Sequence, residues 1–479
     1  MQNFITLLVM KKVIFVLFLM VLSIFKPHFC MAQGGFFEKE ITLNGRFDEC
    51  LKDINIEEEI KNYMQQDPIY INLRECIEIA LLYNYIIKAQ SFGYDISKWD
   101  YKKALSNFLF NVGSSSYTIY YSGQVLVGAA LVDKFNELAL SFNIHAEHKL
   151  TRGGEDIFEA LRSKNVKFAQ RHRLNFTYSE VLLNTTIQYW ELLRRKLDIE
   201  IYQKNYKERC AQLKQTENLK DAGLGTKFDV IRAQSELAQA KQNLLDALQE
   251  FRFSQAKLSN ILGIEITTPL MPIENEAREY KLNDENKDIE TLFYDAKYKR
   301  EDIKALEKEI VALKNEKRKI YTQFAPKARV FAQEQWQGTA DTGVGPASIV
   351  AGYLDINLGE NMGFGTIAQA RAKQAQIDKS IVELEQKLRD IKENILNSYY
   401  ESKISKEQVD YATQSAELAE LRLDAGEGIL IDVIQAQTFK TRTKIELLSS
   451  IINYNISQVQ MLFDSGNIGV KEILKDYAP

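Results

Sequence analysis

The chain has 479 residues, 26% of them charged, with a net charge of −4. That length holds several ordinary domains or one long repeated architecture, and the charge balance leaves no basic footprint for nucleic acid. Seven prolines are present, none between Pro68 and Pro269 and none between Pro346 and Pro479. Proline removes a backbone donor and clashes with the preceding helical turn, so two proline-free stretches of this length favour long helices.

The N-terminus reads as an export signal over residues 1–32. Lys11 and Lys12 precede an apolar run from Val13 to Phe25, and Cys30-Met31-Ala32 offers a cleavage site after Ala32. Met10 before the two lysines is an alternative start, and Cys30 is an alternative lipid-anchored cysteine, although bulky Phe29 precedes it. Residues 33–70 form an N-terminal extension. Cys50, Cys76 and Cys210 are an odd set for an oxidising compartment, with no spacing that marks a metal site. After the signal no stretch has the apolar length of a membrane helix, so any membrane crossing falls to strands.

A strand pair comes next. Leu138, Leu140, Phe142, Ile144 and Ala146 alternate with Ala139, Ser141, Asn143, His145 and Glu147, the period of a two-faced strand, and residues 108–121 are its partner. A soluble sheet with one wet face gives this alternation. A transmembrane barrel gives it too, with Leu140, Phe142 and Ile144 facing lipid.

A long helix follows from about Asp156 to Lys220; sixty-five residues make a rod on the order of 100 Å. It breaks at Gly223 and Gly225 and restarts near Lys227. The return helix carries a heptad seam of Val230, Ala233, Leu237, Ala240, Leu244, Ala247, Phe251, Ser254, Leu258 and Ile261, suited to coiled-coil packing. Thr226-Lys-Phe-Asp229 spells a capping box. Residues 268–287, with Pro269, Pro272 and many charges, read as a linker.

The chain is then written again. Asp221-Ala-Gly-Leu-Gly-Thr-Lys-Phe-Asp-Val-Ile-Arg-Ala-Gln234 recurs without a gap as Asp424-Ala-Gly-Glu-Gly-Ile-Leu-Ile-Asp-Val-Ile-Gln-Ala-Gln437, and the register carries Gly263 onto Gly466. Two copies of one unit follow: residues 71–267 and 288–466, with 467–479 as a tail. In the second copy, residues 328–336 and 350–358 are strands, and Gly338 to Ser348 is expected as an exposed hairpin loop. Its return helix has a more polar seam, with Ile434, Ile445, Leu448, Ile452 and Val459 among Thr438, Thr441 and Asn455. Lys440, Thr443 and Gln458 point to wetter surroundings or to a solvated outer face. Four strands cannot close a membrane barrel. Two chains supply eight and three supply twelve, and the sequence does not choose.

This doubled unit of helix, two strands and helical hairpin resembles the TolC-like outer-membrane efflux proteins from about Ile71 to Gly466. The marks are Leu73-Arg-Glu-Cys-Ile-Glu-Ile-Ala-Leu-Leu-Tyr-Asn84, similar to the family's opening helix; Arg152-Gly153-Gly154 at a strand-to-helix turn; Gln188-Tyr189-Trp190 and Ser398-Tyr399-Tyr400 early in the long helices; and the two Asp-Ala-Gly turns. The first strand pair lacks an opening proline, and Gly359-Glu-Asn-Met-Gly363 replaces the second Gly-Gly turn.

The resemblance implies an α+β membrane protein, a homotrimer with a twelve-stranded barrel in outer-membrane lipid and a helical tunnel across the periplasm. It implies a periplasmic adaptor and an inner-membrane pump of RND or ABC type as partners. It also implies tip contacts for the adaptor at Gly223, Leu224, Gly225, Gly426, Gly428 and Ile429, and a gate with Asp432 at its first acidic position. Gln435 stands at the next position, where the family has an acid. In the gate region, Asp229 is also explained as a cap, Asp432 as an acid favoured by the helix dipole, and Arg232 either pairs with a neighbouring helix or is a surface arginine.

No cofactor and no enzymatic role is expected. His145 and His148 fall on opposite strand faces, Gly223-Leu-Gly225 lacks the lysine of a phosphate loop, and no triad is recognisable. The alternatives from other classes are a periplasmic adaptor, which normally carries one hairpin, and a structural coiled coil without strands.

Overall fold

The computed structural model describes residues 68–127, 130–283, 288–339, 343–357, 359–424, 430–475 and 477, without the side chains of 121–137, 339, 360, 419–420 and 422–434. The chain divides into two units, residues 1–64 and 65–479. The signal segment, Cys30, Cys50, Gly426, Gly428 and Ile429 lie outside the described residues, as does the side chain of Asp432.

The second unit opens with β1 (Ile69–Ile71), α1 (Leu73–Tyr83), α2 (Tyr85–Ser106), β2 (Asn111–Val127) and β3 (Ala130–Arg152). The first helical hairpin is α3 (Glu155–Asp221) and α4 (Lys227–Leu262), and β4 (Leu270–Pro272) follows. The second copy repeats the order: α5 (Ile289–Lys299), α6 (Glu301–Tyr321), β5 (Lys327–Thr339), β6 (Gly343–Asp355), α7 (Phe364–Asp424), α8 (Leu430–Asp464) and a short α9 (Val470–Ile473). The long helix thus begins and ends within a residue of its expected bounds.

Each copy opens on a broken helix with closely matched dimensions. α1 and α5 have 11 residues each, and α2 and α6 have 22 and 21. The break residue is Asn84 in one copy (φ −58°, ψ 128°) and Arg300 in the other (φ −62°, ψ 125°). Facing each break is the glycine that ends the return helix. Gly263 and Gly466 both have φ +71°, the left-handed cap conformation that glycine adopts without a Cβ penalty.

The sheet has the order β2-β3-β5-β6, all antiparallel. Of the stretch expected as a loop, Gly338 and Thr339 belong to β5 and residues 343–348 to β6. Gly338 pairs with Val344, Gln337 with Gly345 and Trp336 with Pro346. The glycines that suggested a loop permit a close hairpin instead: a Cβ on Gly338 would fall 1.8 Å from the carbonyl oxygen of Gly343. Pro346 stands opposite Trp336, and within the described residues β6 has β5 alone as a neighbour.

Among the helices, α3 packs on α2 and α6 toward the sheet and on α4 and α8 toward its other end; α7 packs on α6 and α8. The neighbour order is therefore α2-α3-α6-α7 beside the sheet and α4-α3-α8-α7 beyond it. The expected seam of α4 is buried at Val230, Ala233, Ala240, Leu244, Ala247, Phe251, Ser254 and Leu258. At its end Leu262 is buried in place of the expected Ile261, because a 3.6-residue helix drifts from a strict heptad. A separate apolar cluster of Leu292, Ala296, Ile303, Ile391, Ile395 and Met461 ties α5 and α6 to α7 and α8.

Within the segment expected as a linker, residues 270–272 form a strand. β4 pairs in parallel with β1, Ile69 opposite Leu270 and Ile71 opposite Pro272. Beyond β4 the chain runs as a strap onto α8. Asn455 accepts from Tyr280 N (3.0 Å) and donates to Arg278 O (2.8 Å); Gln458 accepts from Leu282 N (2.9 Å) and donates to Tyr280 O (2.7 Å). Gln458 and Thr443 are each 2% exposed, so neither expectation for them holds: they are not on a solvated face, and the polarity of Gln458 satisfies the strap's backbone.

Candidate functional site

The sheet has two chemically different faces. On one, Leu138, Leu140, Phe142 and Ile144 are exposed, and the Phe142 and Trp336 rings lie 5.6 Å apart across β3 and β5. Glu334 also lies on this face and is hydrogen-bonded by Ser348. On the other, Ser115 donates to Asn143 (3.0 Å), Gln335 to Ser141 (3.3 Å) and Gln333 to Gln335 (2.9 Å), while Arg329 pairs with Glu147 at 3.4 Å. His145 lies on this polar face within 3.4 Å of Asn143. His148, three residues on, points to the opposite face as expected. Leu140, Phe142 and Ile144 thus share the exposed apolar face.

Both the sheet and the helical layer are open. Within the described residues β2 has only β3 as a neighbour and β6 only β5. Along the open helical edges, α2 exposes Tyr85, Phe92, Ile96 and Trp99, and α7 exposes Val382, Tyr400, Ile404, Tyr411 and Leu421. Large apolar side chains exposed along both edges are suited to association.

The first helical tip is closed by hydrogen bonds from Gly223 N to Lys220 O (2.9 Å) and from Leu224 N to Leu219 O (2.8 Å), the Schellman pattern. Gly223 supplies the positive φ of +77°. This geometry pushes Leu224 outward, 80% exposed, with Phe228 and Ile231 also exposed on the following turns. Gly225 sits tightly, since a Cβ there would lie 3.0 Å from Lys220 N. Thr226 and Asp229 form the expected capping box, Asp229 N to Thr226 Oγ1 at 3.2 Å and Thr226 N to Asp229 Oδ2 at 3.0 Å. These bonds from Thr226 hold the Asp229 carboxyl below its usual range, and the charge of Arg232 adds to the effect. Asp229 is therefore a cap. In the second tip, Asp432 lies in the first turn of α8, and Gln435 is exposed.

The two interfaces of α3 differ. Against α4 it meets the alanine and leucine seam; against α8 it meets polar groups, with Asn205 Nδ2 donating to Thr441 at 2.9 Å and Arg209 Nη2 to Thr438 at 2.8 Å. Arg209 is 3% exposed, and desolvation lowers its pKa.

Tyr189 and Trp190, noted in the sequence as an aromatic site, are the anchor of the strap. Both are buried. Tyr189 donates to Glu274 and, at 3.3 Å, to Ile71 O; Tyr477 also donates to Glu274, at 2.7 Å. Tyr280 stacks between Trp190 (6.1 Å) and Tyr477 (4.9 Å), and Lys196 donates to Glu274 O at 2.9 Å. Burial pushes both tyrosine hydroxyls and the nearby Cys76 thiol well above their ordinary pKa values. The sequence signal for this knot was there in the aromatic pair at 189–190 and the lone Tyr477, but nothing local said that they meet.

No protein-family profile matches the sequence, and no curated protein matches it. Solved structures do match in three dimensions. The outer-membrane channel OprN is 17% identical, with a TM-score of 0.70 over 83% of this chain and 90% of that one. The Campylobacter jejuni CmeC outer membrane channel is 14% identical, with a TM-score of 0.73 over 85% of this chain and 87% of that one. The open state of the Neisseria gonorrhoeae MtrE outer membrane channel is 14% identical, with a TM-score of 0.66 over 82% of this chain and 89% of that one. The doubled hairpin, the four-stranded sheet and these likenesses agree: the fold of this chain is that of the TolC-like outer-membrane channels.

Proposed function

We propose that the chain is one subunit of a homotrimeric outer-membrane channel that exports small molecules or proteins. Three four-stranded sheets close into one barrel in outer-membrane lipid, and three helical layers close into a tunnel across the periplasm. The observation that carries this reading is the matching openness of sheet and helices. Bare strand edges are not tolerated in hydrocarbon, so β2 and β6 require partners there, and the apolar edges of α2 and α7 require them in water. With Leu140, Phe142 and Ile144 toward lipid, the amide-rich face lines the lumen.

The channel itself performs no chemistry. Cargo is delivered by an inner-membrane pump of RND or ABC type through a periplasmic adaptor, which meets the tips at Gly223, Leu224 and Gly225 and at Gly426, Gly428 and Ile429. Asp432 and Gln435 belong to the gate at the closed end. The exposed Leu224 and Phe228 support the adaptor contact, since a solvated turn has no need of them.

The test has two arms. Outer-membrane fractions should yield a heat-sensitive trimer that conducts in planar bilayers. Phe142→Arg should impair its membrane assembly by about 2–4 kcal/mol near the midplane, while Asn143→Arg is tolerated. A monomer without conductance, or equal tolerance of the two substitutions, overturns the reading.

A further inference from the structure

The apolar face of the sheet carries an acid, Glu334, that the channel reading does not account for. Ser114 of β2 stands opposite Ile144 of β3, Ile144 opposite Glu334 of β5, and Glu334 opposite Ser348 of β6, so the four share one row. The adjoining rows on this face are apolar, with Ala146, Ala332 and Val350 on one side and Phe142 and Trp336 on the other. An ionisable group at membrane depth is expensive and by default marks a functional site. Ser348 donates its hydroxyl proton to Glu334. As a donor it keeps both of its own acceptor lone pairs.

Ser348 stands on β6, whose second flank is open to another strand within the described residues. Complementary groups line the other open strand. β2 turns Ser114, Ser116, Thr118 and Tyr120 to the same face, all of them exposed. A lipid-facing strand is ordinarily apolar at such positions, as β3 is. These hydroxyls cannot reach Ser348 of their own chain, because β3 and β5 intervene and three strand spacings are about 14 Å. β2 also overhangs. Ile119 shares a row with Ala139, Thr339 and Gly343, where β6 begins, and β2 continues to Val127. Strands in a closed barrel tilt and their register staggers. β2 has length to spare only on the Val127 side, so β6 of one copy docks there on the next, and Ser348 meets positions beyond Ser114.

We infer that the seam between copies in the barrel is held on its lipid side by a hydroxyl relay: Ser116, Thr118 or Tyr120 of one copy donates to Ser348 of the next, which donates to Glu334. The acid is thus completed only by a second copy of this chain. The relay rests on the trimeric-barrel reading, and two measurements separate them. In a chain whose own cysteines are replaced by serine, Ser348→Cys is combined with Ser116→Cys, Thr118→Cys or Tyr120→Cys, and outer-membrane fractions are oxidised. One combination should give disulfide-linked oligomers on non-reducing gels. A disulfide needs Cα atoms within about 7 Å, and within one chain these strands lie about 14 Å apart, so the link reports the seam. Glu334→Leu and Ser348→Ala should each reduce the trimer surviving heat in detergent by about threefold or more, as for a lost hydrogen bond. Glu334→Gln keeps an acceptor and should leave it near the parent's level. The two losses should not add, since they break one relay. A trimer that Glu334→Leu leaves equally or more stable, or that no cysteine combination links, overturns the relay and leaves the barrel standing. Absence of any trimer overturns both.

Discussion

The two junctions where a broken helix meets the end of a return helix have the same backbone and different chemistry. At the first, Asn84 caps both ways by itself: its Oδ1 accepts from Ile86 N (2.8 Å) and Ile87 N (3.2 Å), and its Nδ2 donates to Ile261 O (2.7 Å). At the second, Arg300 is 5% exposed. It bonds Asp302 through Nε (3.0 Å) and Nη2 (2.9 Å), donates to Asp464 O at 3.1 Å, and lies over the rings of Phe176 and Phe463. Both arrangements satisfy the last carbonyls of the return helix. A neutral amide does so locally, whereas a guanidinium does so by recruiting carboxylates that must themselves be buried. What the duplication preserved is the route of the backbone, and the glycine opposite each break is the reason.

The largest difference between the junctions should appear on removing the polar residue. Arg300→Met leaves Asp464, whose side chain is 4% exposed, without its nearest cation, and breaking a buried pair typically costs about 3–5 kcal/mol. Asn84→Ala should cost only about 1–2 kcal/mol, the usual range for a lost cap. Denaturant midpoints of the two variants decide this, and equal losses would remove the distinction between an ionic and a neutral junction.

The two glycines differ in what stands against them. A Cβ on Gly263 would lie 2.5 Å from Tyr83 O, which is backbone, while on Gly466 it would meet Arg300 Cγ at 2.9 Å and N at 3.0 Å. Both alanine substitutions carry the left-handed penalty of about 1–2 kcal/mol, and Gly263→Ala should exceed Gly466→Ala because a carbonyl cannot rotate away. Thermal unfolding of the two variants in parallel measures the gap.

The pH dependence gives a smaller, signed effect. Burial raises the Asp464 carboxyl above its ordinary range, against the lowering by Gln460, Arg300 and Ser398. A folded pKa above the unfolded one gives a contribution present at acid pH and lost as pH rises through the folded value. The destabilisation by Arg300→Met should therefore shrink between pH 7 and pH 4, as the abandoned carboxylate takes up a proton. The loss in Asn84→Ala, where no charge is involved, should stay flat over the same range. Parallel slopes would show that Asp464 is not the group left exposed to the penalty.

Much of this was legible locally. The Gly223 turn, its capping box and the bounds of α3 and α4 follow from hydrogen bonds within a few residues and from periodicity along one helix. The alternation at Leu138–Glu147 likewise set the two sheet faces, because side-chain direction on a strand depends on the backbone alone. The alignment of Gly263 with Gly466 even located the two junctions, though it did not say what they touch.

Tertiary structure decided the rest. Thr443 and Gln458 read as wet in the sequence and are buried in the fold: Gln458 bonds the backbone of the strap, and Thr443 donates to Phe439 O and Lys440 O of its own helix. Residues 268–287 look like a linker until β1 supplies a partner for β4. Tyr477 lies 203 positions from Glu274 along the chain, and Arg300 lies 164 from Asp464. Contacts at such separations leave no periodic trace in the sequence: which distant groups satisfy one another is decided only when the helices are packed.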